Sequence, residues 1–464
     1  MIGFSSSVFD VHVQRKTSPG LRPLHLAFLL ALGLSAVPLG SNRVFVMALL
    51  SAMLFLIFVM QLITGTFRGS RQLLRLRLAW PVVLALGLFM ALLWFQAAAP
   101  FGSGSADAHS TWQQLLLSLG YFAAFCLVIL QVQPGAALRR FVAVLVLLGV
   151  AHAVLAIYLY SVKAEYELLH FALNHGGRTY GTFSYHNSLA NYLVVCLCLG
   201  VGLLVASLRP ADEDPPRWRA RLFRALKMLF SKVIFLRVML LMMVVALVLT
   251  RSRMGNTAFL LALFGLAAPV LLLKRRLRFK GLLLLGSIVV LDVFFVGQLV
   301  GFDELAQRMN KTAVTTVEGE TEESIEDRTA PGRLAMPMVA EQPWLGRGAG
   351  TFYTTFPQHA SPQTRLYYDH AHNDYVQLAV EVGLIGLALL AVTVVCSVAR
   401  ALQVLHRPLT PSDLGLALGV LMAVFAALVQ AFVDFHFQIP ANALLFVVVL
   451  AIPWLLRRQP KPDY

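Results

Sequence analysis

Long apolar runs recur along this chain at the length that crosses a lipid bilayer. The stretch VVLALGLFMALLWFQAAA, residues 82–99, would make ~27 Å of helix at ~1.5 Å per residue, close to the thickness of a hydrocarbon core. Twelve runs of this kind cover roughly residues 24–41, 44–64, 79–98, 112–132, 141–161, 188–208, 233–250, 257–273, 281–301, 376–397, 412–433 and 440–456. The chain is 58% hydrophobic and only 13% charged, more apolar surface than a soluble chain of 464 residues can hide. In lipid a helix satisfies its own backbone. The pattern therefore predicts an all-α, polytopic transmembrane helix bundle of about 12 spans.

Orientation follows from the loops. With both termini cytoplasmic, most of the 38 Lys and Arg fall on the inner side, including KRRLRFK at Lys274–Lys280. An odd number of spans would spoil this positive-inside alternation. The net charge of +15 is thus mainly a topology signal. Short juxtamembrane basic loops meet anionic membrane lipids and point to no nucleic-acid partner. Cys126, Cys196, Cys198 and Cys396 all fall within apolar runs and read as small hydrophobes. The N-terminal segment lacks a cleavable signal pattern, so the first span reads as a retained anchor.

The spans divide the chain into residues 1–301 with helices 1–9, a large external loop at 302–375, and residues 376–464 with helices 10–12 and a cytoplasmic tail. Its front part, TTVEGETEESIEDRTAPG, is acidic, and the part from Arg333 reads as structured. The loop is long enough for helices lying on the membrane surface, and loops of this length commonly carry function.

Four polar constellations stand at the external ends of the helices. RTYGTFSYHNSLANYL brings Arg178, His186 and Asn187 to a helix mouth, either as ligands or as a helix start with interfacial tyrosines. LTRSRMGN puts Arg251 and Arg253 in a very short turn between apolar helices. There they either snorkel or grip a lipid-borne phosphate bidentately. EDRTAPGRLAMPMVAEQPWLGRGAGTF carries Arg328 and Arg333 ahead of a glycine-rich turn. That turn lacks dinucleotide or Walker spacing and reads as a plain turn.

The fourth constellation, DHAHNDYVQLAVEVGLIG, runs from titratable to apolar within a few residues. A helix starting near His372 would align Asn373, Gln377 and Glu381 on one face. Gly383 and Gly386 would then admit a neighbouring helix. His370 and His372, two apart, point to opposite sides of a helix, and no third ligand completes a metal spacing. No metal and no cofactor is expected.

Nucleotide-activated donors are scarce outside the cytoplasmic membrane, so an external transferase draws on a donor already activated in the lipid. A polyprenyl diphosphate-linked glycan meets that need. Its site requires fixed cations for the leaving diphosphate and a base for the attacking hydroxyl. Arg253 and Arg328 supply the first. His372, of the side-chain type that titrates nearest neutrality, supplies the second. Direct displacement with inversion is the simplest course. A transporter that binds lipid-linked glycan would use the arginines without needing His372, and would place charges along a midplane path, where Asp292 and Glu381 stand.

At these residues the chain resembles the O-antigen ligase and O-antigen polymerase superfamily. His372-Asn373 followed by Gly383-Leu-Ile-Gly386 fits the family's His-Asn and Gly-x-x-Gly pattern, and GTFSYHNSLANYL, LTRSRMG, PWLGRGAGTF and DFHFQIPAN follow in the family's order. The resemblance implies that His372, Arg253 and Arg328 are the catalytic residues. Arg251, Arg333, Arg178, His186, Asn187, His370, Asn373 and Gln377 join them as substrate-binding candidates. It also implies a bacterial inner-membrane enzyme with its site facing the periplasm. Such an enzyme passes a glycan from undecaprenyl diphosphate, without a metal, to lipid A-core in a ligase. In a polymerase the acceptor is a growing glycan, and in a protein O-glycosylating relative it is a pilin-like protein. One departure is Gly332, where the family often has Trp four residues after the arginine matched by Arg328.

Overall fold

In the computed structural model the described residues are 23–64, 70–99, 104–164, 177–208, 232–274, 278–279, 281–283, 285–288, 290, 325–360, 368–405 and 410–456. They form a helical bundle. The helices are α1 (Pro23–Ser35), α2 (Val44–Ile63), α3 (Ser70–Leu78), α4 (Trp80–Ala98), α5 (Ala108–Gln131), α6 (Ala136–Ser161) and α7 (His186–Ala206). After these come α8 (Lys232–Leu249), α9 (Arg253–Leu273), α10 (Ile325–Leu334), α11 (Met336–Glu341), α12 (Asp374–Leu405), α13 (Pro411–Gln430) and α14 (Pro440–Ala451).

Eight described helices, α2, α4, α5, α6, α7, α9, α12 and α13, are long and apolar enough to cross a membrane. Three further expected spans, at 24–41, 233–250 and 440–456, appear as shorter apolar helices. The ninth, 281–301, lies largely outside the described residues, as do Asp292 and residues 302–324.

The centre of the bundle is α7, apolar all round and with 89% of its membrane-spanning window buried, as befits a helix surrounded by others. It packs on α13 through glycine. A Cβ on Gly202 would lie 2.5 Å from Gly415 O, and one on Gly415 would lie 2.3 Å from Gly202 O. Only backbones this close explain why Gly415 and Gly419 stand four apart on that face. In α9 the helix widens into a π turn at Leu263–Ala267 just before Pro269. Pro269 has no N–H to donate and its ring crowds the preceding turn.

The long helix α12 breaks at Gly383, where φ is +65° and ψ −177°. The sequence reading assigned Gly383 to a neighbouring helix; the neighbour is instead the PWLGRGAG turn. Leu384 N donates to Pro343 O at 2.7 Å and Ile385 N to Trp344 O at 3.2 Å. On the other side of the break Arg347 N reaches Val380 O at 2.8 Å and Gly348 N reaches Glu381 O at 2.9 Å. The turn thus satisfies the backbone groups that the break frees, which is required at membrane depth. From α4, Gln96 adds its Nε2 to both Leu345 O and Glu381 O. Gly386 does meet a helix, with its Cβ position 3.1 Å from Leu92 of α4.

A Cβ on Gly383 would lie 2.2 Å from Trp344 O in a left-handed backbone. Gly383→Ala should therefore cost about 2–4 kcal/mol, read as a lowered melting temperature of the detergent-solubilised protein. Gly87→Ala is the matched control: its Cβ would meet nothing within 4 Å, and the change should be neutral or stabilise by up to about 1 kcal/mol.

Candidate active site

Three helices begin at one end of the bundle, around one cavity of about 610 Å³. Asn187 comes from the first turn of α7, Arg253 and Met254 from the first turn of α9, and Asn373 and Val376 from the start of α12. Arg178 and Arg251 enter from the segments preceding α7 and α9, and Phe432 and Val433 from the segment after α13. From α10 and α11 come Thr329, Gly332, Arg333 and Met336, and Ala371 and His372 complete the wall. Four arginines and His372 line it, with no carboxylate among the lining residues. Each helix N-terminus adds roughly half a positive charge, so the cavity is built for an anion.

The hairpin that carries two of the arginines is as tight as its sequence requires. Helix α8 ends at Leu249, and Ser252 caps α9 by accepting from Gly255 N at 3.2 Å. Between them Arg251 takes a left-handed φ of +53°. Its guanidinium lies beside Gly177, whose Cβ position is 3.6 Å away. Among the described residues neither Arg251 nor Arg253 forms a salt bridge.

His372 also holds a left-handed backbone, φ +48°, a conformation that non-glycine residues keep only where the surroundings enforce it. Helix α12 begins at Asp374, two residues beyond His372 and so near the start expected from the sequence, because Asn373 acts as its cap. Asn373 Oδ1 accepts from Tyr375 N at 3.0 Å and Val376 N at 3.1 Å, while its Nδ2 donates to Phe432 O at 3.0 Å. The buried Asp374 carboxylate accepts from Phe437 N at 3.1 Å and Gln438 Nε2 at 3.2 Å. These bonds clamp the helix start to the DFHFQ turn. From that turn Phe435 inserts between the imidazoles, stacked on His370 at 4.3 Å and edge-on to His372 at 5.0 Å.

Seven sequence candidates therefore meet at the cavity: Arg178, Asn187, Arg251, Arg253, Arg333, His372 and Asn373. His186, His370 and Gln377 do not line it. His186 is buried between Tyr180 and Tyr185 and accepts from Arg178 Nη1 at 3.4 Å. His370 and Gln377 lie behind His372, bonded to each other at 3.2 Å. The Arg328 backbone lies in α10, and its side chain is outside the described residues. Gly332 is what lets α10 approach: a Cβ there would lie 3.3 Å from Ala371 O, so Trp at this position would need a different docking of α10.

Sequence reasoning missed the apolar half of the wall, Met254, Met336, Val376, Phe432 and Val433. Apolar residues beside a membrane carry no distinguishing signal. It also missed Gln96, although a lone amide within an apolar run is a readable one.

These features define a multi-pass helical membrane protein with a basic cavity at one end of its bundle. Residues 238–391 match the family model for O-antigen ligase, which supports the resemblance to the O-antigen ligase and O-antigen polymerase superfamily over that part of the chain. The match takes in Arg251, Arg253, Arg328, Arg333, His370, His372, Asn373 and Gln377, and stops short of Arg178, His186 and Asn187. No curated protein matches the chain.

Burial lowers the pKa of His370 from the ordinary 6.5 to about 4, against an opposing pull from Asp369. Burial likewise lowers that of His436 to about 3. Both folded values lie below the unfolded one, so the unfolded chain binds more protons across this interval. The stability that these two histidines contribute is complete above pH 6.5 and is lost as pH falls towards 4 and then 3. Between pH 6.5 and 4 the melting temperature of His370→Gln should therefore fall less, or rise more, than that of the native protein; parallel profiles in the two would contradict the assignment.

Proposed function

We propose that the protein is a membrane glycosyltransferase of the O-antigen ligase type. It passes a glycan from undecaprenyl diphosphate to a hydroxyl of lipid A-core on the periplasmic side of the inner membrane. The observation that carries this reading is the cavity itself: four arginines, three helix N-termini and one histidine at the end of a membrane bundle, with no carboxylate in its lining. A diphosphate is the anion that a lipid-borne sugar donor presents. Guanidiniums match its oxygens in pairs, and the apolar side of the same cavity suits a polyprenyl chain.

Arg253, with Arg328 on α10, holds the diphosphate; Arg251, Arg333 and Arg178 extend the cationic wall. The acceptor oxygen attacks the anomeric carbon while the bond from that carbon to the diphosphate oxygen breaks. The leaving diphosphate takes the bonding electron pair and stays on the arginines. The neutral His372 imidazole takes the proton of the attacking hydroxyl. With no carboxylate positioned as a nucleophile among the lining residues, one displacement with inversion is the economical course. Arginines aimed at the leaving group act where charge develops in the transition state.

The test is a deletion strain carrying either the native gene or His372→Ala, with surface polysaccharide and carrier-linked glycan extracted and sized. The variant should lose transfer by about 100-fold or more and leave long polymer stranded on the carrier. Single repeat units, on carrier or core, would make the enzyme a polymerase with a growing glycan as acceptor. Normal surface glycan from His372→Ala would overturn the catalytic reading in favour of binding or transport of lipid-linked glycan.

A further inference from the structure

Gln377 is buried, on the first turns of α12, and does not line the cavity. Its carboxamide nevertheless makes three directed bonds. Oε1 accepts from Ala371 N at 3.2 Å. Nε2 donates to His370 Nδ1 at 3.2 Å and to Glu381 Oε1 at 3.1 Å. Glu381 Oε1 also accepts from Phe352 N at 3.4 Å, at the end of the glycine-rich turn. A continuous chain of hydrogen bonds thus runs from that turn, through Glu381 and Gln377, to the two residues immediately before His372.

We infer that Gln377 is a positioning residue that holds the His370–Ala371 backbone so that His372 keeps its left-handed conformation and faces the cavity. The inference rests on the proposed role of His372. The observations carrying it are geometric. His372 sits at φ +48°, a conformation disfavoured for a residue with a Cβ and held only where neighbours over-determine it. Asn373 fixes the following residue as the cap of α12. Gln377 fixes the preceding peptide, and Phe435 limits the two rings. The donor and acceptor pattern is fully specified. An amide can serve Ala371 N with its oxygen while serving His370 and Glu381 with its two hydrogens. A carboxylate or an alkyl group at 377 cannot.

The experiment uses the purified full-length protein with lipid-linked glycan donor and acceptor. Gln377→Leu should lower kcat at least tenfold and leave the KM for the donor within threefold, because the cationic wall is untouched. Gln377→Glu places two carboxylates together and should fall as far. Gln377→Met fills nearly the same space without the hydrogen bonds and should fall as far as Gln377→Leu, which a role in filling space alone does not predict. Native kcat in Gln377→Leu or in Gln377→Met would overturn the inference. Amide hydrogen exchange supplies a readout that needs no activity: residues 370–373 should exchange faster in Gln377→Leu, and unchanged exchange there also overturns it. A native protein that transfers no glycan would instead count against the proposed function, with the exchange result still deciding the role of Gln377.

Discussion

Everything about the site depends on concentrated positive potential at one edge of an apolar bundle. Helices α7, α9 and α12 all begin there, and four guanidiniums join their N-termini in one cavity. Like charges gathered beside a low-dielectric bundle repel one another. That arrangement persists because each arginine sits on a backbone fixed by something else. The Arg251 turn is closed by the Ser252 cap and by Thr179 N donating to Leu249 O at 3.1 Å. An anion arriving at the cavity relieves the repulsion, so the cavity is preorganised for a negatively charged ligand.

A second constraint integrates the large loop with the membrane helices. Helix α12 is broken at Gly383, and the glycine-rich turn supplies the missing backbone partners on both sides of the break. The loop that carries the arginines of α10 is therefore spliced into a spanning helix by its own backbone. His372 lies at the far end of the same unit, clamped by Asn373 and Asp374 to the DFHFQ turn. The glycine-rich turn and the His372 segment are thereby held in one hydrogen-bonded unit through α12, the kind of fixed placement on which catalysis by orientation depends.

Much of this was legible in the sequence, for reasons that can be named. Apolar runs of bilayer length dictate helices because nothing else satisfies a backbone in lipid. The three residues between α8 and α9 leave room only for a tight turn. The four-residue spacing of Asn373, Gln377 and Glu381 does put them on one helical face, with Gln377 bonded to Glu381. What the sequence hid were effects that depend on long-range partners. Gly383 permits a helix break or a close helix approach equally well, and only the Trp344 carbonyl decides between them. The helix starts at Asp374 because Asn373 finds both the amides ahead of it and the carbonyl of Phe432. Gln377 read as a substrate ligand because polarity beside a site is visible in sequence, whereas its direction is not.

The most direct measurement is the affinity of the purified protein for undecaprenyl diphosphate bearing no glycan, in native, Arg253→Gln and His372→Ala forms. Arg253 serves binding and His372 serves chemistry in the proposed reaction, so Arg253→Gln should weaken binding about tenfold or more, with His372→Ala binding as the native protein does. Native affinity in Arg253→Gln, or equal loss in both variants, would contradict that division.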